Sequence, residues 1–215
     1  MQKKINKSLA GIILASGTGK RMKSEIPKQY LSINNKSLLE INIEKFLSLS
    51  FLSVLIVVVN KKHLKYYNKL KIKYKNTSFI LGSSTRQESA FNALKFLKKL
   101  CVEYVIIHDA ARPYVSKKLI KNLYSKIQKC KTAVVPVVKI QDSIKLCNNN
   151  IILENINREK LYLSQTPQIF NYNILYQIYL HNKKLLDTFS DDAQVFSTGN
   201  YDIHTVSGDI KNIKI

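Results

Sequence analysis

An α/β fold, with a mostly parallel sheet and helices on both faces, is predicted by three features of the chain. Short apolar, branched runs alternate with amphipathic segments, the first run ends in a glycine-containing bend, and the polar clusters sit at the ends of the runs. The first run, Ala10 to Leu14, reads as a buried strand; Ser16, Gly17 and Gly19 then let the backbone bend closely around a ligand, with amides able to face phosphate oxygens. Lys20, Arg21, Lys23 and Lys28 follow, and Pro27 fixes the backbone before Lys28. Two common phosphate loops are excluded by spacing. A GxxxxGK[ST] loop would need glycine at Leu14 and a hydroxyl at Arg21, and GxGxxG would need its third glycine at Met22.

The remaining elements follow in order. Leu38 to Leu49 carries Leu39, Ile43, Phe46 and Leu47 at helical spacing, and Val54 to Val59 reads as a buried strand. Ser78 to Leu81 is a shorter strand, leading through GSSTR into a helix over Arg86 to Leu100. Tyr104 to His108 is a strand ending in HDAARP, Ser116 caps a helix running to Ile127, and Thr132 to Val138 is a further strand. Ligands of such sheets bind beyond the carboxyl ends of the strands, where these loops would converge. After Val138 the rhythm changes: Asp142 to Cys147 and Ile151 to Glu154 read as a β-hairpin with an Asn148 to Asn150 tip. A hairpin this small lacks a core of its own, so it is expected to pack on a partner subunit.

Composition bounds the function. A chain of 215 residues that is 45% hydrophobic is expected to form one domain with a real core. Its apolar runs are too short to span a bilayer, and the segment Met1 to Ser8 does not resemble a signal peptide, so a cytoplasmic protein is expected. Cys101, Cys130 and Cys147 show neither disulfide nor zinc spacing. The formal charge of +21 invites a nucleic-acid reading, but the lysines are spread over nearly every segment, as compositional drift would leave them. Only four of the 35 basic residues are arginine: Arg21, Arg86, Arg112 and Arg158. Against such a bias, each is expected where a planar, bidentate fork is needed.

The motifs ASGTGKRM, PKQYL, GSSTRQES, HDAARP, DSIK, NREKLYLSQTPQIF, SDDA and GDIKNIKI occur in an order that resembles the 2-C-methyl-D-erythritol 4-phosphate cytidylyltransferase family of the non-mevalonate isoprenoid pathway. The resemblance covers nearly the whole chain. It implies a Rossmann-like nucleotidyltransferase fold over 1–215, a homodimer interlocked by a hairpin arm at about 139–160, and use of CTP with Mg²⁺ to give a CDP-alcohol and pyrophosphate. By the same resemblance Arg21 and Lys28 would stabilise the five-coordinate phosphorus and the leaving pyrophosphate, while Arg158, from the neighbouring subunit, and Lys214 would hold the sugar phosphate. Nucleotide contacts are implied at Leu14, Ala15, Ser16, Gly17, Thr18 and Gly19, and at Gly82, Ser83, Ser84, Ser89 and Asp109. Substrate contacts are implied at Asp109, Ala110, Ser143 and Thr166, with Arg112 bracing the region. The chain departs from the family at Ser83, usually glycine, at Ser84, often acidic, and at Ser143, usually threonine.

The chemistry agrees with the residues. A phosphate oxygen attacking the α-phosphorus of CTP is already an anion, so positioning and charge neutralisation replace a general base. His108 is expected as a strand-end packing residue, His63, His181 and His204 as surface or packing residues, and Asp191-Asp192 as either a metal pair or a helix start. Among relatives, a ribitol-5-phosphate cytidylyltransferase is the nearest alternative, and Ala111 and DSIK favour methylerythritol phosphate. A non-catalytic nucleotide- or RNA-binding protein would not need Lys28, Arg158 and Lys214 together. The family continues past NIK with threonine and a helix, so the chain is expected as a short form or as the amino-terminal half of a fusion with a cyclodiphosphate synthase.

Overall fold

The computed structural model describes residues 9–17 and 26–215. Strand β1, Leu9–Ala15, is buried along its whole length and runs parallel to β4, Leu52–Val59, on one side and to β6, Tyr104–Asp109, on the other. Strand β5, Thr77–Leu81, continues the parallel set beyond β4. On the far side of β6 lies β11, Gln168–Asn171, antiparallel to it, followed by β7, Ala133–Lys139. Strand β10, Tyr162–Ser164, pairs antiparallel with β7, and β12, Ile203–Ser207, pairs parallel with it. The eight-stranded sheet is thus mostly parallel, as expected, with β10 and β11 reversed, and the two-residue strands β2, Ser32–Ile33, and β3, Lys36–Ser37, form a separate antiparallel pair.

The period of two in β1 divides the core. Leu9, Ile13 and Ala15 face a layer built from α1, Leu38–Leu47, α2, Leu64–Lys73, and α4, Lys117–Cys130. Ala10, Ile12 and Leu14 face α3, Arg86–Leu97, α5, Tyr172–His181, and α6, Asp192–Ser197. Each fully buried aliphatic side chain contributes about 1.5–3 kcal/mol. Among the described residues no helix is long and apolar enough to cross a membrane.

Boundaries differ from expectation where the sequence lacks punctuation. Helix α3 stops at Leu97, three residues early, and a turn closed by Leu100 N–H on the Leu97 carbonyl follows. Helix α4 runs three residues past Ile127 and ends with Lys131 at φ 65°, a left-handed position where glycine is the usual signal. The hairpin of β8, Ile144–Asn148, and β9, Ile151–Ile156, turns on Asn149 and Asn150 at φ 47° and 65°; Asn148 is in the strand, not the tip. Leu146, Ile151, Ile152 and Leu153 of this arm are exposed, as are Leu161, Tyr162 and Leu163 beyond it.

Candidate active site

Because β1, β4, β5 and β6 run parallel, their carboxyl ends meet at one edge of the sheet. There a cavity of about 530 Å³ opens, floored by Leu14, Ala15, Ser16 and Gly17 at the end of β1. Its walls come from Ser83 and Ser84 after β5, from Asp109, Ala110 and Ala111 at the end of β6, and from Lys28, Lys214 and Ile215. Lys28 and Lys214, 186 positions apart, therefore share one cavity. Thr18, Gly19 and Arg21 lie outside the described residues.

The bend after β1 is fixed by side chains that sequence reasoning passed over. Gln29, buried in the short turn Lys28–Tyr30, donates from Nε2 to the carbonyls of Ala15 (2.7 Å) and Gly17 (2.9 Å). Asn60 Nδ2 donates to the Ser16 carbonyl at 3.1 Å. The signal for Gln29 was present in PKQYL, but only its lysine was read. Ser89 takes a different place from the one expected: it is fully buried and does not line the cavity. Its hydroxyl accepts from Ser16 Oγ and the Ser83 amide, 2.9 Å each, and donates to the Thr85 carbonyl at 2.7 Å, knotting the GSSTR loop. Gly82 is where that knot is tightest, since a Cβ there would lie 2.5 Å from Ser16 Cβ.

At the end of β6, Asp109 accepts from Arg86 Nε on Oδ1 (3.0 Å) and from Lys214 Nζ on Oδ2 (2.6 Å). Burial alone would raise this carboxyl, but the two cations beside it hold it well below the usual carboxylate range. Arg86 reaches on to Asp192, whose Oδ2 accepts from Nη2 at 2.8 Å. Of the four arginines, Arg86 thus sits between two buried carboxylates, as its rarity suggested, and the SDDA pair resolves into two roles. Asp191 caps α6 by accepting from the Gln194 amide, while Asp192 is fully buried on Arg86.

Thr166 sits behind Asp109 and receives its amide at 3.1 Å, while bonding His108 Nδ1 at 3.2 Å. The tautomer follows from the neighbours. Asn42 spends Nδ2 on the carbonyls of Leu38 and Ala110, so its Oδ1 faces His108 Nε2, which also faces the Arg112 carbonyl. Nε2 therefore carries the proton and Nδ1 accepts from the Thr166 hydroxyl. Burial keeps the ring neutral, with its pKa lowered to about 4. His108 is a support of the strand end. Arg112 braces the tail, donating from Nη1 to the Asn212 carbonyl at 2.7 Å, and Asn212 Nδ2 donates to the Thr166 carbonyl at 2.9 Å. Lys28 Nζ donates to the main-chain oxygen of Ile215 at 2.9 Å. A smaller cavity of about 250 Å³, lined by Arg112, Thr166, Ser164 and Asp191, shares Arg86, Asp109 and Lys214 with the first.

Arg158 and Ser143 are not part of either cavity. Both are exposed on the arm, where Arg158 Nη1 donates to the Gln141 carbonyl. Among the described residues no three His, Cys, Asp or Glu side chains converge as a metal cage. Asp109 is the one carboxylate on the larger cavity's described wall; its Oδ2 is held by half-exposed Lys214, so it fits a divalent cation as a single oxygen ligand.

Parallel strands that deliver a glycine bend, two lysines and a paired carboxylate to one opening suit phosphorylated ligands, and the family and structural likenesses that follow make the fold that of an α/β nucleotidyltransferase. Residues 9–215 match the family model described as IspD, 2-C-methyl-D-erythritol 4-phosphate cytidylyltransferase, and the chain belongs to that family. It is 41% identical over 208 residues to the protein of that name from Thermosipho melanesiensis, covering 95% of this chain and 90% of the relative. The bifunctional enzyme IspD/IspF of Pelagibacter ubique is 41% identical over 205 residues, which is 95% of this chain and 53% of that protein. Among solved structures, the 4-diphosphocytidyl-2C-methyl-D-erythritol synthase of Anaerococcus prevotii aligns with a TM-score of 0.84 at 29% identity, covering 98% of this chain and 91% of that one.

Proposed function

We propose that this chain transfers CMP from CTP to 2-C-methyl-D-erythritol 4-phosphate, releasing pyrophosphate, in the cytoplasm. The observation that supports it most is that Lys28 and Lys214 line one cavity with the end of β1 and with Asp109. The phosphate of the acceptor attacks the α-phosphorus in line, and no side chain needs to take its proton. Lys28, with Arg21, neutralises the α-phosphate and the departing pyrophosphate; Lys214 turns from Asp109 to the acceptor's phosphate. Asp109, released, accepts from acceptor or ribose hydroxyls, and Ala110, Arg112 and Thr166 border the acceptor's side of the site. The backbone of residues 14–19 and of Gly82 to Ser84 holds the nucleotide, with Ser89 keeping that loop in shape. Mg²⁺ bound with CTP would neutralise the triphosphate further, with Asp109 as the available protein oxygen.

The domain reading is a single catalytic unit over 1–215 with a dimerisation arm at about 139–160. The arm's exposed apolar residues suit burial against a second copy, which would bring Arg158 and Ser143 to the neighbour's acceptor phosphate. The test is pyrophosphate release from CTP and Mg²⁺ with methylerythritol phosphate or ribitol 5-phosphate as acceptor. The proposal expects release with the first at a far higher kcat/KM; a preference for ribitol 5-phosphate overturns it.

A further inference from the structure

The planar edge of Arg86 is divided between two carboxylates. Nε and Nη2 lie on the same edge of a guanidinium, the pair that usually grips a single carboxylate side-on. Here Nε goes to Asp109 Oδ1 and Nη2 goes to Asp192 Oδ2. Asp192 is held in turn by Tyr179, whose hydroxyl donates to its other oxygen at 2.5 Å. Asp192 is fully buried, Arg86 is largely so, and Asp109 is 8% exposed, so these contacts are screened little by water.

We propose that Asp192 is a positioning residue for the acceptor: by occupying Arg86 Nη2 it keeps Arg86 on one oxygen of Asp109 and reserves the other, Oδ2, for Lys214 and for the acceptor. This rests on the functional reading above and goes beyond it, since Asp192 touches neither cavity. Without the Asp192 charge, the freed Nη2 closes on Asp109 Oδ2, and the guanidinium takes both oxygens. Lys214 is then displaced and Asp109 is sealed against hydroxyls, while the nucleotide walls at β1 and at Ser83 and Ser84 are untouched.

Asp192→Asn keeps the volume and removes the charge. KM for the acceptor is expected to rise about ten-fold, the scale of one charge-assisted hydrogen bond, and an unchanged acceptor KM overturns the proposal. Tyr179→Phe removes the other contact of Asp192 and serves as the structural control. It is expected to lower Tm while leaving the acceptor KM in place, and an equal rise in that KM overturns the proposal. Should Asp192→Asn fail to fold, Arg86→Lys carries the test, because an ammonium cannot span both carboxylates; an unchanged acceptor KM in that variant also overturns it. A crystal structure of Asp192→Asn separates this claim from the reaction assignment. Arg86 on both oxygens of Asp109 is expected whatever the acceptor is, and Arg86 still bound to residue 192 overturns the proposal. Failure of the wild type to release pyrophosphate would instead sink the reaction.

Discussion

Replacing Lys28 by alanine separates catalysis from folding. Among the described residues Lys28 makes one tertiary hydrogen bond, to the main-chain oxygen of Ile215, and otherwise borders the cavity. Losing that bond costs about 1 kcal/mol of stability, which for a chain of this length lowers Tm by about 2–4 °C. A domain stable by about 5–15 kcal/mol stays folded after such a loss. Removing a preorganised donor from a developing oxyanion costs about 3 kcal/mol of barrier, which lowers kcat on the order of 100-fold. Steady-state pyrophosphate release at saturating CTP and acceptor, run beside a thermal melt, reads both numbers. An unchanged kcat in the folded variant refutes the reasoning, and so does a fall in kcat that tracks a loss of folded protein.

Three further outcomes are expected. Gly82→Ala forces a Cβ to within 2.5 Å of Ser16 Cβ and 2.8 Å of Ser89 Oγ; it should destabilise by about 1–3 kcal/mol and weaken CTP binding in calorimetry, with unchanged CTP affinity arguing against a nucleotide seat there. His108 has its pKa lowered to about 4 by burial, so the unfolded chain binds a proton that the folded one refuses between its unfolded value and about 4. Stability should therefore fall as pH drops through that window, and His108→Gln should flatten the slope of Tm against pH there; an identical slope contradicts a buried neutral ring. Asp109 acts lower, since its stabilisation is full above the ordinary carboxylate range and is lost progressively as pH falls through that range and below it. Finally, Lys28→Ala and Arg158→Ala chains, each inactive alone, should recover about a quarter of wild-type activity when refolded together as a two-fold dimer, and no recovery argues against a shared site.

Local features of the chain were legible in the sequence, and long-range ones only where composition betrayed them. The buried runs of β1, β4, β6 and β7 were readable because a parallel sheet covered on both faces leaves no polar alternation. Helices α2 and α5 were missed, and Leu64 to Lys73 shows why: four of its ten residues are exposed lysines that blur the apolar stripe. Strand β11 lies antiparallel between two parallel neighbours, a choice set by tertiary packing and invisible to periodicity. In the site, the scarcity of arginine pointed to Arg86 and Arg112. Asp192 was hidden because its partner lies 106 positions away and SDDA reads locally as a helix start. Asn42 and Gln29 were hidden likewise, as polar residues whose partners are backbone carbonyls that any sequence supplies.

The claim on which the rest depends is that one crevice holds two phosphorylated molecules while one displaces diphosphate from the other. Phosphorus NMR of the wild-type chain with CTP, Mg²⁺ and methylerythritol phosphate tests it most directly. Loss of the acceptor's monoester signal is expected, with equal growth of a diphosphodiester pair and pyrophosphate. Orthophosphate release with the monoester signal intact, or no change at all, would contradict it.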